Sequence, residues 1–470
     1  MIKMNFGLIG IGVMGQNLTL NIERNGFSVA VYDKASDKVG NFLRTKAMNK
    51  QIVGARSLED FVSLIERPRR VILLVNAGKP VDEVIDGLLP YMAKGDVIVD
   101  GGNSFFLDTE RRAATLENDG IYFVGSGVSG GEEGALKGPA IMPGGALEAY
   151  KLIEPVFTKI AAHVNGEPCC AYVGPRGAGH YVKMVHNGIE YAIMQLICEA
   201  YDMLTTGLGL QVPEVAASFK RWNESEELNS YLFEITSKVL EKNDPETGKP
   251  LVDMILDTAE QKGTGKWTSQ NAFDLGIPVP SINAAVESRM LSSFKDQRKK
   301  ISQLLRGPRP TSTNGNPATI FSVRDALHAS IIVSYAQGMA LLQAASAEYK
   351  YDLRLPIVAG IWRGGCIIRS RMLEPIRQAF SKEAALQNLM MDENFSNILN
   401  ELQQPWHETI RWATSMGIPV LAMSASLSYY DAYRRERLPA NLLQAQRDYF
   451  GAHTYRRMDR DGIFHTNWEV

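Results

Sequence analysis

The chain is 470 residues long, with 45% hydrophobic and 22% charged residues and a formal net charge of −2 at pH 7. That length is too great for one hydrophobic core and predicts two or three structural units, while the composition excludes a disordered or fibrous class. The near-neutral balance gives no general reason to bind nucleic acid or an anionic membrane, and leaves room for a local basic pocket that takes a small anion.

The opening MIKMNFGLIGIGVMG passes from one Lys into a hydrophobic run and a glycine turn, without the charged, apolar and small-residue regions of a signal peptide. No apolar run approaches the roughly 18 residues of a membrane span. Four cysteines, with Cys169 and Cys170 adjacent and Cys198 and Cys366 far away, match neither a disulfide framework nor a metal-ligand spacing. A cytoplasmic protein with reduced thiols and no metal is expected.

Through about residue 170, short apolar runs alternate with helical patterns, which predicts a parallel sheet with crossover helices. The candidate strands are Phe6 to Ile9, Val29 to Tyr32, Val71 to Val75, Val97 to Val99 and Ile121 to Val124. Between the first two, Gly10-Ile11-Gly12-Val13-Met14-Gly15 opens a helical pattern that starts at Gln16. Glycines there allow a tight turn and let a pyrophosphate approach the amides of a helix N-terminus. A GxGxxG alone is weak, and a plain strand-to-helix connection is the bland reading; the strand before, the helix after and Asp33 at the end of the second strand favour dinucleotide binding. Asp33 is placed to accept hydrogen bonds from an adenosine ribose or is a solvated turn carboxylate. It repels a 2′-phosphate, whereas Lys34 attracts one, so the pair tilts the choice toward NAD.

Further along, Asp100-Gly101-Gly102-Asn103-Ser104 and Val128-Ser129-Gly130-Gly131 each follow a strand, at the carboxyl edge where open α/β sheets bind ligands. Either is equally readable as a simple turn. Together they line up an amide, a hydroxyl and free backbone amides suited to a polyhydroxy anion. After Gly179 the strand signal fades, and Tyr181 to Leu208, Pro213 to Leu240 and Asp325 to Lys350 carry helical periodicity, punctuated by Asn243 to Pro250 and Arg306 to Pro317. In the first of these stretches Lys183, His186, Asn187, Glu190 and Tyr191 share one helical face, at i, i+3, i+4, i+7 and i+8. That row is either a base and an acid two turns apart or a structural polar face. Beyond about Pro439 the chain turns aromatic and arginine-rich, from Arg447 to His453 and on to Trp468, an arm expected to pack on another surface.

Lys183 to Tyr191 with its preceding glycines resembles the active-site helix of the 6-phosphogluconate dehydrogenases. The resemblance extends through Gly10 to Gly15, Gly101 to Ser104, Ser129 to Gly134, Gln261 to Trp267 and Arg447 to His453, essentially the whole chain. It implies a Rossmann-like α/β domain (residues 1–177), a large all-helical domain that forms a homodimer (178–438) and a tail (439–470) that reaches into the partner subunit. It implies oxidative decarboxylation of 6-phosphogluconate, a step of the pentose phosphate pathway, with Lys183 and Glu190 catalytic. Asn103, Ser129, Gly130, Gly131, His186, Asn187, Tyr191, Lys262 and Arg289 should contact substrate, joined by Arg447 and His453 from the other subunit. Lys262, Arg289 and Arg447 offer the cationic donors that a phosphate requires.

Gly10 to Gly15, Asp33, Lys34, Ala35, Val75, Asn76, Ala77 and Asn103 form the expected cofactor set. Two departures bear on it. Family members that use NADP commonly carry Asn-Arg-Thr where this chain has Asp33-Lys34-Ala35, and Val-Lys-Ala where it has Val75-Asn76-Ala77. NADP is the family default, and these changes tilt toward NAD. Two rival readings stay open: another β-hydroxyacid dehydrogenase, and a non-catalytic dinucleotide-binding dimer.

Overall fold

Seven strands form one sheet in the order β3-β2-β1-β4-β5-β6-β7, in a computed structural model that describes residues 3–308 and 319–469. Residues 309–317, most of the punctuating cluster after Arg306, lie outside the described residues. The strands are β1 (Phe6–Ile9), β2 (Val29–Tyr32), β3 (Ile52–Gly54), β4 (Arg70–Leu73), β5 (Val97–Asp100), β6 (Tyr122–Ser129) and β7 (Ala140–Gly145). All neighbours are parallel except β6 and β7. Apolar runs such as Val97-Ile98-Val99 suit a sheet covered on both faces, and two separate hydrophobic clusters lie along it.

Register sets up the site. Ile9 pairs with both Tyr32 and Leu73, and Leu73 pairs with Asp100, so β2, β1, β4 and β5 end level. Their carboxyl ends deliver Asp33, Gly10, Leu74 and Gly101 in a row. Because β1 lies between β2 and β4, the connections leave in opposite directions there, the switch point where open α/β sheets form a crevice.

Two strands differ from the sequence expectation. β3 is short and half exposed, and β7 reads AIMPGG, which looks like a loop. Val128 and Ser129, expected to follow a strand, are the last residues of β6.

Beyond the sheet and a short two-stranded ribbon, His163–Val164 with Glu167–Pro168, the chain is mainly helical. The helix Ala178–Asp202 continues through a wider π-type turn, Met203–Gly207. It packs on β6 and β7 on one side and on the long helix Ile320–Tyr349 on the other. Burial on nearly all sides explains why apolar residues fill faces of this helix beyond a single stripe. The expected stretch from Pro213 to Leu240 is two helices, Val212–Glu224 and Tyr231–Leu240. Ser230 divides them by accepting from the Phe233 amide as an N-cap. The tail is a helix, Ala440–Gly451, followed by a return segment bridged between Tyr455 and Phe464.

Candidate active site

The glycine turn enters the helix Val13–Arg24 from β1. Gly10 has φ +101°, and a Cβ on Gly15 would run into the Gly10 carbonyl oxygen. Gly12 is different: nothing in the chain stands within 4 Å of where its Cβ would be, so backbone is bare toward solvent. A helix N-terminus, a strained turn and bare backbone together suit a pyrophosphate. An open cleft of about 300 Å³ begins here, with Gly10, Gly12, Asp33, Lys34 and Asn76 among its walls.

Asp33 braces the turn. Its Oδ2 accepts from the Ile11 amide at 2.8 Å and its Oδ1 from the Ala35 amide at 2.9 Å. Each oxygen keeps a further lone pair for ribose hydroxyls. Two residues that the sequence reasoning missed, Lys38 and Glu83, also line the cleft. The signal for Lys38 was its place four residues after Lys34, at the start of the helix Ser36–Thr45.

Around Lys183 the packing is close. A Cβ on Gly127 of β6 would collide with the Lys183 Cβ, so only glycine lets the helix come this close. Lys183 is 5% exposed. Burial lowers its amine pKa against the opposing pull of Glu190 and Cys366. Lys183 Nζ lies 3.4 Å from His186 Nδ1, and Glu190 Oε2 lies 3.7 Å from the same nitrogen. Burial raises the Glu190 carboxyl above its ordinary value, against the influence of Lys183 and Arg289. An amine held toward its neutral form and a carboxyl held toward its protonated form thus flank one imidazole.

His186 is held neutral by desolvation and then by Lys183. Its partners assign the tautomer: Nδ1 sits 3.0 Å from Asn187 Oδ1, an acceptor, and Nε2 sits 3.4 Å from Ser129 Oγ. With the proton on Nδ1, the Ser129 hydroxyl donates to Nε2 while accepting from the Ile367 amide at 3.4 Å. Asn187 Nδ2 donates to Thr264 Oγ1 at 3.1 Å, which ties the segment bearing Lys262 to this helix. Trp362 closes the far side with its ring edge-on to His186.

A second network reaches the Asn103 loop. Asp100 accepts from the Gly102 amide at 3.0 Å and the Ser104 hydroxyl at 2.6 Å, so both neighbours of Asn103 are fixed while Asn103 stays exposed. His180, one turn before Lys183, donates from Nε2 to the Asp100 carbonyl at 3.1 Å and contacts Thr109 Oγ1 at 2.6 Å through Nδ1.

The structure therefore brings Ser129, Lys183, His186, Asn187 and Glu190 together. Tyr191 lies under the Arg289 guanidinium, 3.4 Å from ring centre to Cζ. Gly130 (φ +119°) and Gly131 (φ +61°) start the next helix, and Lys262 is exposed. Val75, Asn76 and Ala77 follow β4 beside the turn. Arg447 and His453 stand apart: among the described residues, side-chain hydrogen bonds of the tail from Gln444 onward close within the tail. Thr264 lay in the Gln261 to Trp267 stretch without being singled out, and Ile367 and Trp362 carried no signal, since the fold brings them in from far along the chain.

A glycine turn at the switch point of a doubly wound sheet, with a buried lysine on a helix packed against β6 of the same sheet, is the arrangement of a nicotinamide-dependent dehydrogenase that oxidises an alcohol. Residues 5–174 match the NAD binding domain of 6-phosphogluconate dehydrogenase, and residues 179–468 match the 6-phosphogluconate dehydrogenase C-terminal domain. The chain belongs to the 6-phosphogluconate dehydrogenase family. It is 53% identical over 470 residues, 100% of each chain, to the NADP(+)-dependent, decarboxylating enzyme of Bacillus subtilis. To the decarboxylating enzyme 1 of Saccharomyces cerevisiae it is 51% identical, over 99% of this chain and 96% of that one. Among solved structures, the Plasmodium falciparum 6-phosphogluconate dehydrogenase, studied apo, with its cofactor NADP+ and with its substrate 6-phosphogluconate, superposes with a TM-score of 0.95. That match is 42% identical and covers 99% of this chain and 100% of the other.

Proposed function

We propose that Lys183 and Glu190 are the base and acid of an oxidative decarboxylation that converts 6-phosphogluconate to ribulose 5-phosphate and carbon dioxide. The observation that carries this reading is the buried Lys183, its pKa lowered by desolvation, on one helix face with a Glu190 whose pKa burial raises. Neutral Lys183 takes the proton of the C3 hydroxyl. Gly10 to Gly15 would hold the dinucleotide, which would supply the acceptor for the hydride leaving C3. The 3-keto acid so formed places a carbonyl β to the C1 carboxylate, and protonated Lys183 donates to that carbonyl as the C1–C2 bond breaks. Glu190 then delivers a proton to the enediol carbon, giving the ketose. His186, Asn187, Ser129 and Asn103 orient the polyol, and Lys262 and Arg289, joined by Arg447 and His453 of a second subunit, take the anionic groups. In this reading residues 1–177 bind cofactor, 178–438 pair the subunits and 439–470 complete the partner's site, in the cytoplasm.

Glu190→Gln tests the acid. It should lower kcat by about 10²-fold, in the range ordinarily contributed by general acid catalysis, with dinucleotide affinity unaltered by fluorescence titration. Full turnover in the variant removes Glu190 from the role.

For the cofactor we propose that NAD is used at least as well as NADP. Asp33 is fixed by two backbone amides beside the turn, so its charge stays where a 2′-phosphate would sit. Opposing it there costs about 1 kcal/mol or more at partly screened separation. Lys34 and Lys38 offset part of this as flexible point charges, without the planar fork of Arg, and Glu83 adds a further carboxylate to the cleft. Combining Asp33→Asn, Lys34→Arg and Ala35→Thr should shift the ratio of kcat/KM values toward NADP by about tenfold or more. A wild-type enzyme already favouring NADP by more than about tenfold would mean that Lys34 and Lys38 outweigh Asp33.

A further inference from the structure

Most of the tail is open to solvent, with Leu442 61% and Phe450 72% exposed, yet Asp448 in its midst is 0% exposed. What encloses it is the tail itself. Oδ1 accepts from the Thr454 amide at 2.9 Å and lies 2.9 Å from His465 Nδ1. Oδ2 accepts from the Thr466 amide at 3.1 Å and from Trp468 Nε1 at 2.9 Å. One carboxylate thus gathers the end of the helix Ala440–Gly451, the reversal after it and the returning segment.

The reversal is where geometry is demanding. Ala452 (φ 48°) and Thr454 (φ 59°) both adopt the left-handed region that side chains other than glycine rarely occupy, and His453 sits between them. The Thr454 amide, held by Asp448, fixes the second of these bends. Gln444 reinforces it by donating to the Thr454 carbonyl at 2.6 Å, while its Oε1 accepts from Arg447 Nη1 at 3.0 Å. Arg447 precedes Asp448 directly, so the presentation of Arg447 and that of His453 pass through one hub. Desolvation opposes ionisation of Asp448, but its donors, His465 and Trp468 foremost, outweigh it and hold the carboxyl down to about 2.

We propose that Asp448 is a positioning residue for the shared active site, whose carboxylate locks the tail so that Arg447 and His453 reach the partner's substrate as one preorganised unit. The proposal rests on the reading that this tail completes the second subunit's site. It assigns no chemistry to Asp448; the residue acts through the two beside it.

Asp448→Asn is the direct test, because an amide keeps the shape but offers one acceptor oxygen and turns an NH₂ toward N–H donors. The KM for 6-phosphogluconate should rise by about tenfold or more, with kcat changed much less and the dissociation constant of the dinucleotide unaltered. Hybrid dimers separate this from damage to the subunit's own body. Pairing an Asp448→Asn subunit with a Lys183→Met subunit gives one site with an intact lysine and an intact incoming tail, and its KM should return to the wild-type value. An unchanged KM in the homodimeric variant overturns the proposal, as does a KM that stays high in the hybrid while an Arg447→Ala and Lys183→Met hybrid recovers activity. If neither hybrid recovers, the shared-site reading itself has failed and the proposal falls with it. Should Asp448→Asn fail to fold, Trp468→Phe, which removes one donor and keeps an aromatic ring, decides: a smaller rise in KM, corrected in the same hybrid, supports the hub, and an unchanged KM overturns it.

Discussion

Lys183→Met should lower kcat by about 10³-fold or more while leaving the dinucleotide dissociation constant within about twofold of wild type. The side chain it replaces is buried against Gly127 and the His186 ring, so a methionine of similar length fills the same space and folding is preserved. What disappears is the only amine on the face shared with His186, Asn187 and Glu190. In the proposed mechanism this amine both accepts the C3 hydroxyl proton and returns a hydrogen bond to the ketone. The glycine turn lies on a different element, at the end of β1, which is why cofactor affinity should not follow. Stopped-flow reduction of dinucleotide and equilibrium titration check the two halves, and near-normal turnover in a folded variant contradicts the assignment.

Arg447→Ala should lower kcat/KM by about 10²-fold, the scale expected when a charge-assisted contact to a phosphate is lost. The more decisive result comes from mixing. Arg447 is exposed on the tail helix, and among the described residues its side chain hydrogen-bonds to Gln444 and has no bond to its own Lys183. An Arg447→Ala subunit retains Lys183, and a Lys183→Met subunit retains a good tail, so their hybrid should hold one working site made from the intact halves. Activity of hybrids purified by differential tagging should reach about half that of wild type, as expected for independent sites. No recovery in well-formed hybrids would mean that each tail serves its own subunit or none.

The cofactor end of the fold was legible because its signals are local. A strand, a glycine turn, a helix and Asp33 follow one another within one βαβ unit, and each has a backbone reason to be there. What the sequence could not carry was register: that Ile9, Tyr32, Leu73 and Asp100 end level is a property of strand pairing. The AIMPGG of β7 reads as loop because it holds Pro and two glycines. Those glycines serve packing, since a Cβ on Gly144 would strike the backbone of Gly179 and hold the helix Ala178–Asp202 off the sheet.

The polar row from Lys183 to Tyr191 was legible as a face, but its burial was not. Periodicity left a solvated face open, and β6, whose Gly127 lies against Lys183, removes that reading together with Trp362 over His186. The helical break at Ser230 and the Asp448 hub share another cause of illegibility. Both depend on single side chains meeting backbone amides, and the four donors of Asp448 are spread from Thr454 to Trp468 with no repeat to betray them.

Oxidation and carbon dioxide loss on one substrate are the core of the account, and a single assay reads both. The purified enzyme is supplied with 6-phosphogluconate labelled at C1 and with NAD or NADP, and released label is measured against dinucleotide absorbance. We expect carbon dioxide and reduced dinucleotide to appear in equal amounts throughout, with neither formed by Lys183→Met. Reduced dinucleotide without labelled carbon dioxide, or no reduction with either cofactor, would contradict it.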